Sequence, residues 1–165
     1  MTSKASDPLL TWRTCRFDDL TLRELQYIYM ARQQVFVIEQ ACPYLDVDGH
    51  DEPAWHVAAW SAEQHMPLAY ARLLDPGVKY AEPSMGRVIT TAAARGTGLG
   101  RQLVRRAIEL SARVHPGLGM RISAQSRLER FYEEAGFAVV GERYLEDGIP
   151  HTEMVLSDSI ERGRR

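Results

Sequence analysis

Two cysteines in 165 residues, Cys15 and Cys42, are too few for a disulfide framework. No apolar run approaches the roughly 18 residues that a membrane span needs. The opening Met1 to Asp7 is small and polar rather than signal-like. These shortages point to a reducing, cytoplasmic setting and to no membrane partner. Charge of one sign is lacking too: 20 basic residues against 22 acidic ones give a formal net charge of -2. A nucleic-acid footprint needs a strong basic bias, so no nucleic-acid partner is expected, and Arg162-Gly163-Arg164-Arg165 reads as a short solvated tail. There are no repeats and no linker. With 45% hydrophobic and 25% charged residues, the composition is that of an ordinary globular chain. One domain over residues 1–165 is expected, with its core over about 10–157.

Hydrophobic periodicity outlines the elements. Residues 10–17 alternate as a half-buried strand. Thr21 caps a helix, with Glu24 at capping-box spacing. Leu22, Leu25, Ile28, Tyr29, Val35 and Phe36 keep a helical period to about Ile38. Residues 41–53, rich in Asp, Gly and Pro, form a loop. Residues 55–60 and 68–74 read as a hairpin, and 85–91 as the next strand. Residues 98–114 form a helix stopped by Pro116-Gly117, followed by a strand over 119–124. Residues 126–135 form a short helix, with Ser126 and Glu129 at capping-box spacing and Gly136 as a left-handed stop. Residues 137–145 and 151–156 close the chain as an antiparallel pair. The order β-α-β-β-β-α-β-α-β-β predicts an α/β (α+β) fold, with helices on both faces of a mixed sheet.

The glycines concentrate where they carry chemistry. Arg95-Gly96-Thr97-Gly98-Leu99-Gly100 lies between the strand ending in Val88-Ile89-Thr90-Thr91 and the helix that begins at Gly98. Alternate glycines let the backbone come close to a ligand, and a helix start offers free N–H groups and a positive dipole end. Such a loop suits a phosphate or pyrophosphate, with Arg95 and Arg101 as charge-assisted donors. A dinucleotide fingerprint needs another glycine spacing and an acidic residue about 20 positions on, where Met120 and Arg121 stand. A P-loop needs Gly-Lys-Ser/Thr, whereas Arg101-Gln102 follows Gly100.

What remains, Arg-x-x-Gly-x-Gly between strand and helix, resembles the pyrophosphate loop of the GNAT superfamily of N-acetyltransferases, which binds coenzyme A. A second block, Gln125 to Phe137, resembles the other GNAT signature, a short helix ending in Tyr132-Glu133-Glu134-Ala135-Gly136-Phe137. Gln125 stands where the family often has Asn. Residues 32–51, with Arg32, Phe36, Glu39, Cys42, Asp46, Asp48 and Asp51, and the run Glu146-Asp147-Gly148-Ile149-Pro150-His151 resemble the ElaA-like subgroup. The resemblance implies a GNAT-like fold, a central mixed, mostly antiparallel sheet of about seven strands, in which the fourth and fifth strands splay apart. It implies that acetyl-CoA is the cosubstrate and that its pantetheine arm lies in the gap. Val88, Ile89, Thr90, Arg95, Gly96, Thr97, Gly98, Leu99, Gly100, Arg101 and Gln125 are the implied cofactor contacts.

Acetyl transfer to an amine needs a neutral nucleophile, a stabilised oxyanion and a proton for the leaving thiolate. A lysine-type amine of pKa about 10.4 is neutral in only about one molecule in 10³ at pH 7, so a general base helps. Tyr132 occupies the family position of the general acid. Some GNAT enzymes carry a Glu on the fourth strand, but Ser84-Met85-Gly86-Arg87-Val88 holds no carboxylate. His151 and Glu39 are then the candidates for base, with His56 and Asp48 behind them. Arg32, Phe36, Asp48 and His56 are expected around the acceptor, an amine of a small molecule or peptide. The run Asp46-x-Asp48-Gly49-His50-Asp51 fails as a calcium loop, because Tyr44 and Trp55 would hold its end positions. Side-chain Asx turns explain it better, and no metal is expected. The competing reading is a non-catalytic acyl-CoA-binding module, and either a monomer or a homodimer is open.

Overall fold

Leu10–Arg16 forms β1 and pairs antiparallel with β2, Trp55–Ser61. β3 (Ala69–Leu74) and β4 (Ser84–Thr90) continue the meander, in the order β1-β2-β3-β4. The computed structural model describes residues 9–158; Met1 to Asp7 and Arg162 to Arg165 lie outside the described residues. Successive side chains on a strand point to opposite faces, and both faces of this sheet are covered. Val57, Ala59, Ala69, Ala71 and Leu73 pack against Leu103, Val104, Ala107 and Leu110 of α2 (Leu99–Val114). On the other face Ala58, Tyr70 and Ile89 pack against Ile28, Ala31, Val35 and Phe36.

Those last residues belong to α1 (Leu22–Arg32) and its continuation. Thr21 accepts from the Glu24 N–H at 3.1 Å and donates its own N–H to the Glu24 carboxylate at 2.8 Å, forming the expected capping box. Beyond Arg32 the helix widens into π turns over Gln33–Glu39, and the Gln40 N–H reaches the Val35 carbonyl at 3.0 Å. The helical period predicted continuation but not the widening, which is frequent at functional sites.

β5 (Met120–Gln125), β7 (Ile149–Leu156) and β6 (Ala138–Glu146) form a second antiparallel sheet in the order β5-β7-β6. Asp147 and Gly148, with φ of 51° and 76°, make the tight β6–β7 turn. Positive φ at both central residues is the requirement of a type I′ hairpin, which an Asp-Gly pair meets. The seven strands therefore divide four and three. The Arg121 N–H to Pro83 carbonyl bond, 3.0 Å, ties the sheets where β4 and β5 begin.

The short helix α3 is Glu129–Glu134. Its expected capping box does not form. Ser126 instead meets the Thr152 hydroxyl at 2.7 Å, and Glu129 accepts from Arg143 and Thr152. Partners distant in sequence have displaced the local cap.

Candidate functional site

β4 is the edge of one sheet and β5 the edge of the other. Two facing strand edges present backbone N–H and C=O groups that no ladder satisfies. Between them opens a cleft of about 640 Å³, within the range of small-molecule sites. Val88, Ile89 and Thr90 line it from β4, Ala124 and Gln125 from β5, and Val35, Phe36, Glu39 and Gln40 from the π turns. A bulge sharpens the β4 edge. Tyr70 pairs with Ile89 but Arg72 with Gly86, so Arg87 and Val88 together oppose Ala71. Arg87 has φ of 51°, strained for a residue other than glycine.

Tyr132 lines the cleft and is 5% exposed. Its setting follows from the Tyr-x-x-x-Gly-Phe spacing. The Gly136 N–H reaches the Glu133 carbonyl at 2.9 Å, and the Phe137 N–H reaches the Tyr132 carbonyl at 3.1 Å. This is a Schellman stop, with Gly136 at φ of 100°. The contact that accompanies such a stop is the edge-on pair of Tyr132 and Phe137, 5.9 Å between ring centres. Phe131 packs edge-on against Tyr132 at 5.1 Å. Burial pushes the phenol pKa upward, which keeps the hydroxyl protonated as a donor.

The glycine loop meets α2 through Gly98 at φ of 84°, with no side chain capping the helix. Thr97 bonds the Ala94 carbonyl at 2.6 Å and stands 3.4 Å from the Leu99 N–H. Leu99 itself is buried, so its side chain belongs to the core. Arg95 lines the cleft and is held by Glu39 and by the Thr90 carbonyl. Arg101 is exposed and paired with Glu134. Gln125 donates to Gln40 at 2.9 Å and accepts from Arg127 at 2.9 Å, so a strap from the π turns crosses to β5.

The expected acceptor residues divide. Phe36 lines the cleft; Arg32, Asp48 and His56 do not. Arg32 is fully buried between Asp46 (2.8 Å) and Asp51 (2.7 Å). Arg72 joins Asp51 to Asp48, and Arg87 joins Asp48 to Asp46. The six side chains close a ring of alternating charge, which corrects the placing of Arg32 and Asp48 around the acceptor: both are taken up by partners within the fold. The Asx turn is present, the His50 N–H bonding Asp48 at 3.0 Å. His56 is 1% exposed, between the Tyr70 hydroxyl (2.7 Å) and the Asp51 carbonyl (2.9 Å), and burial lowers its pKa. It is a core histidine. Among the described residues no group of three or more His, Cys, Asp or Glu side chains is placed to hold a metal.

Burial pushes the Asp48 and Asp51 carboxyls up, but their neighbours outweigh it. Hydrogen bonds from Arg72 and the His50 N–H hold Asp48 low, and Arg32 holds Asp51 low. Carboxyls depressed in the fold contribute stability in full above their unfolded value, about 3.9, and lose it as pH falls through the lower folded value. The melting temperature, followed by circular dichroism, is expected to stay level from about pH 7 to 5 and to fall below about pH 4. An Asp48→Asn variant should show a shallower fall.

His151 lines the cleft, with Nδ1 2.8 Å from the Ile149 carbonyl and Nε2 3.6 Å from Glu146. Glu146 also lines the cleft and was missed by sequence reasoning. The Asp147-Gly148 hairpin signal was available and fixes its place. Cys42 is buried at the cleft wall, its thiol 3.8 Å from the Asp147 carbonyl, and burial pushes its pKa up, away from ready reactivity. Cys15 is buried on β1.

Residues 54–157 match the acetyltransferase (GNAT) domain family. A UPF0039 protein of Synechocystis is 44% identical over 147 residues, 89% of this chain and 95% of the relative. Among solved structures, an acyl-CoA N-acyltransferase from Pseudomonas aeruginosa superposes with a TM-score of 0.84 at 43% identity, covering 90% of this chain and 99% of that one. Escherichia coli ElaA also gives 0.84, at 34% identity, covering 90% of this chain and all (100%) of the other.

Proposed function

The chain belongs to the GNAT acetyltransferase family, in its ElaA-like subgroup, and we propose that it is an acetyl-CoA-dependent N-acetyltransferase working by direct transfer to an amine. The observation that carries this is the cleft between two unpaired strand edges, lined by Arg95 of the glycine loop and by Tyr132. Pantetheine amides can pair with the β4 edge as an added strand would. The uncapped start of α2, with Arg95 and Arg101 beside it, suits the pyrophosphate. For Arg95 to turn to a phosphate it must give up Glu39, and Arg101 must give up Glu134; both are partly exposed pairs that exchange at little cost.

Acetyl-CoA supplies the activated acyl group; the chain's part is to hold it and to move protons. Backbone N–H groups over Val88-Ile89-Thr90, which follow the bulge at Arg87 and Val88, are the donors for the carbonyl oxygen as charge grows on it. His151 takes a proton from the acceptor ammonium at Nε2, because Nδ1 donates to Ile149 and leaves the Nε2 lone pair free. Tyr132 donates its hydroxyl to the leaving sulfur. Glu39 is tied to Arg95, which makes His151 the stronger choice of base.

Thermal shift tests the cofactor and thiol release tests the reaction. Acetyl-CoA at a hundredfold over its Kd is expected to stabilise by about 2.7 kcal/mol, a rise of about 5–10 °C. Acceptor-dependent thiol release against polyamines, amino acids, aminoglycosides and short peptides should accompany it. Stabilisation without release across the panel would support the acyl-CoA-binding module, and no stabilisation would overturn both.

A further inference from the structure

One carboxylate and one imidazole face each other at the β6–β7 side of the cleft, Glu146 and His151. A carbonyl only accepts, so the 2.8 Å contact to Ile149 makes Nδ1 of His151 the donor. In the neutral ring Nε2 is then an acceptor, and 3.6 Å away lies Oε2 of Glu146, an acceptor too. That oxygen already receives the Ser123 hydroxyl at 2.8 Å, and Ser123 in turn meets the Tyr144 hydroxyl. The Tyr144 ring stacks on His151 at 6.1 Å and 29°. The pair is thus braced on three strands: Ser123 on β5, His151 on β7, Tyr144 and Glu146 on β6.

Charge at the cleft wall makes the gap specific. Glu39 is neutralised by Arg95, and Arg72 and Arg87 are taken up by the three aspartates of the ring. Glu146 and Asp147 are cleft carboxylates with no arginine or lysine in ion-pair contact among the described residues. Lys79 lies over the Tyr80 ring and Arg127 donates to Gln125, so the two remaining cleft cations are turned to other partners. Two acceptors facing each other beside unneutralised negative charge ask for a ligand that is a cation with at least two N–H donors.

We propose that Glu146 and His151 seat the acceptor nitrogen as a primary alkylammonium, on a chain with no carboxylate beside the amine. This deepens the acetyltransferase reading and rests on it. One N–H goes to Oε2 of Glu146 and a second to Nε2 of His151. When that second proton moves onto His151, the positive charge passes from ammonium to imidazolium and stays beside the same carboxylate, so Glu146 stabilises both sides of the transfer. The freed amine then attacks the thioester carbonyl: the C–N bond forms, the C–S bond breaks, the thiolate takes the Tyr132 proton, and the nitrogen loses a second proton that restores Tyr132 by way of solvent. An α-amino acid would bring its own carboxylate against Glu146 and Asp147, a like-charge contact that disfavours it.

The test uses the full chain with coenzyme A bound, and putrescine and glycine as probes. Putrescine is expected to shift the isotope-labelled Nε2 resonance of His151 in the wild-type complex, and glycine to leave it in place. With acetyl-CoA, putrescine should exceed glycine in kcat/KM. Glu146→Gln removes one charge-assisted hydrogen bond and should lower kcat/KM for putrescine about 10- to 100-fold, with the coenzyme A Kd unchanged. An unmoved Nε2 resonance, glycine used as well as putrescine, or a Glu146→Gln variant that keeps kcat/KM within about twofold would overturn the seat, even if coenzyme A binds. Should the variant fold poorly, the wild-type resonance decides alone. Failure of the wild type to bind coenzyme A is a different result, and overturns the acetyltransferase reading together with the seat.

Discussion

Tyr132→Phe lowers kcat for acyl transfer about 100-fold and leaves the Kd of coenzyme A within about a factor of two. The expectation rests on what the substitution removes. Among the described residues the Tyr132 hydroxyl has no hydrogen-bond partner, whereas its ring packs on Phe131 and Phe137. Phe keeps those ring contacts and the Schellman stop, so the fold loses nothing by it. Its melting temperature should match or slightly exceed that of the parent. Burial holds the phenol protonated, so the donor stays available even well above neutral pH. A variant with full turnover at saturating acetyl-CoA and amine would leave Tyr132 a packing residue and assign the sulfur's proton elsewhere.

Arg32→Met has the largest expected effect on stability. Its side chain is completely buried and holds Asp46, Asp51 and the Asp46 carbonyl, the last at 2.8 Å. Removing one partner of a buried ion pair costs about 3–5 kcal/mol. For a chain of this size that is a fall in melting temperature of about 6–20 °C. Below the transition the coenzyme A Kd and the acceptor KM should be unchanged, because Arg32 does not reach the cleft. A raised acceptor KM with an unchanged melting temperature would restore the role first expected of it, that of a substrate contact.

Arg32 also marks where the sequence stops being legible. Features that depend on residues a few positions apart were readable: the Thr21–Glu24 box, the glycine loop at the start of α2, and the Gly136 stop that aims Tyr132. Each is a local geometry with one good solution. Ser126 and Glu129 carried the same local signature as Thr21 and Glu24, yet Thr152 and Arg143 claimed them across the fold. The ring was hidden for the same reason, since its acids lie within residues 46–51 and its bases at 32, 72 and 87. Apolar spacing continued unbroken through Gln33–Glu39 and gave no sign that the turns widen there. Glu146 reads in the sequence as part of a turn, although the turn is what presents it to the cleft.

The charge ring has a consequence for how such a chain can change over generations. Arg32, Asp46, Arg87, Asp48, Arg72 and Asp51 each touch two opposite charges. Losing any one leaves five, and five alternating charges cannot sum to zero. Losing two neighbours leaves four that can. A lineage crossing from six to four must therefore pass through an odd, charged state less favourable than either end. Loss of charge at any one of these positions is thereby less costly when a neighbour in the ring loses its charge as well.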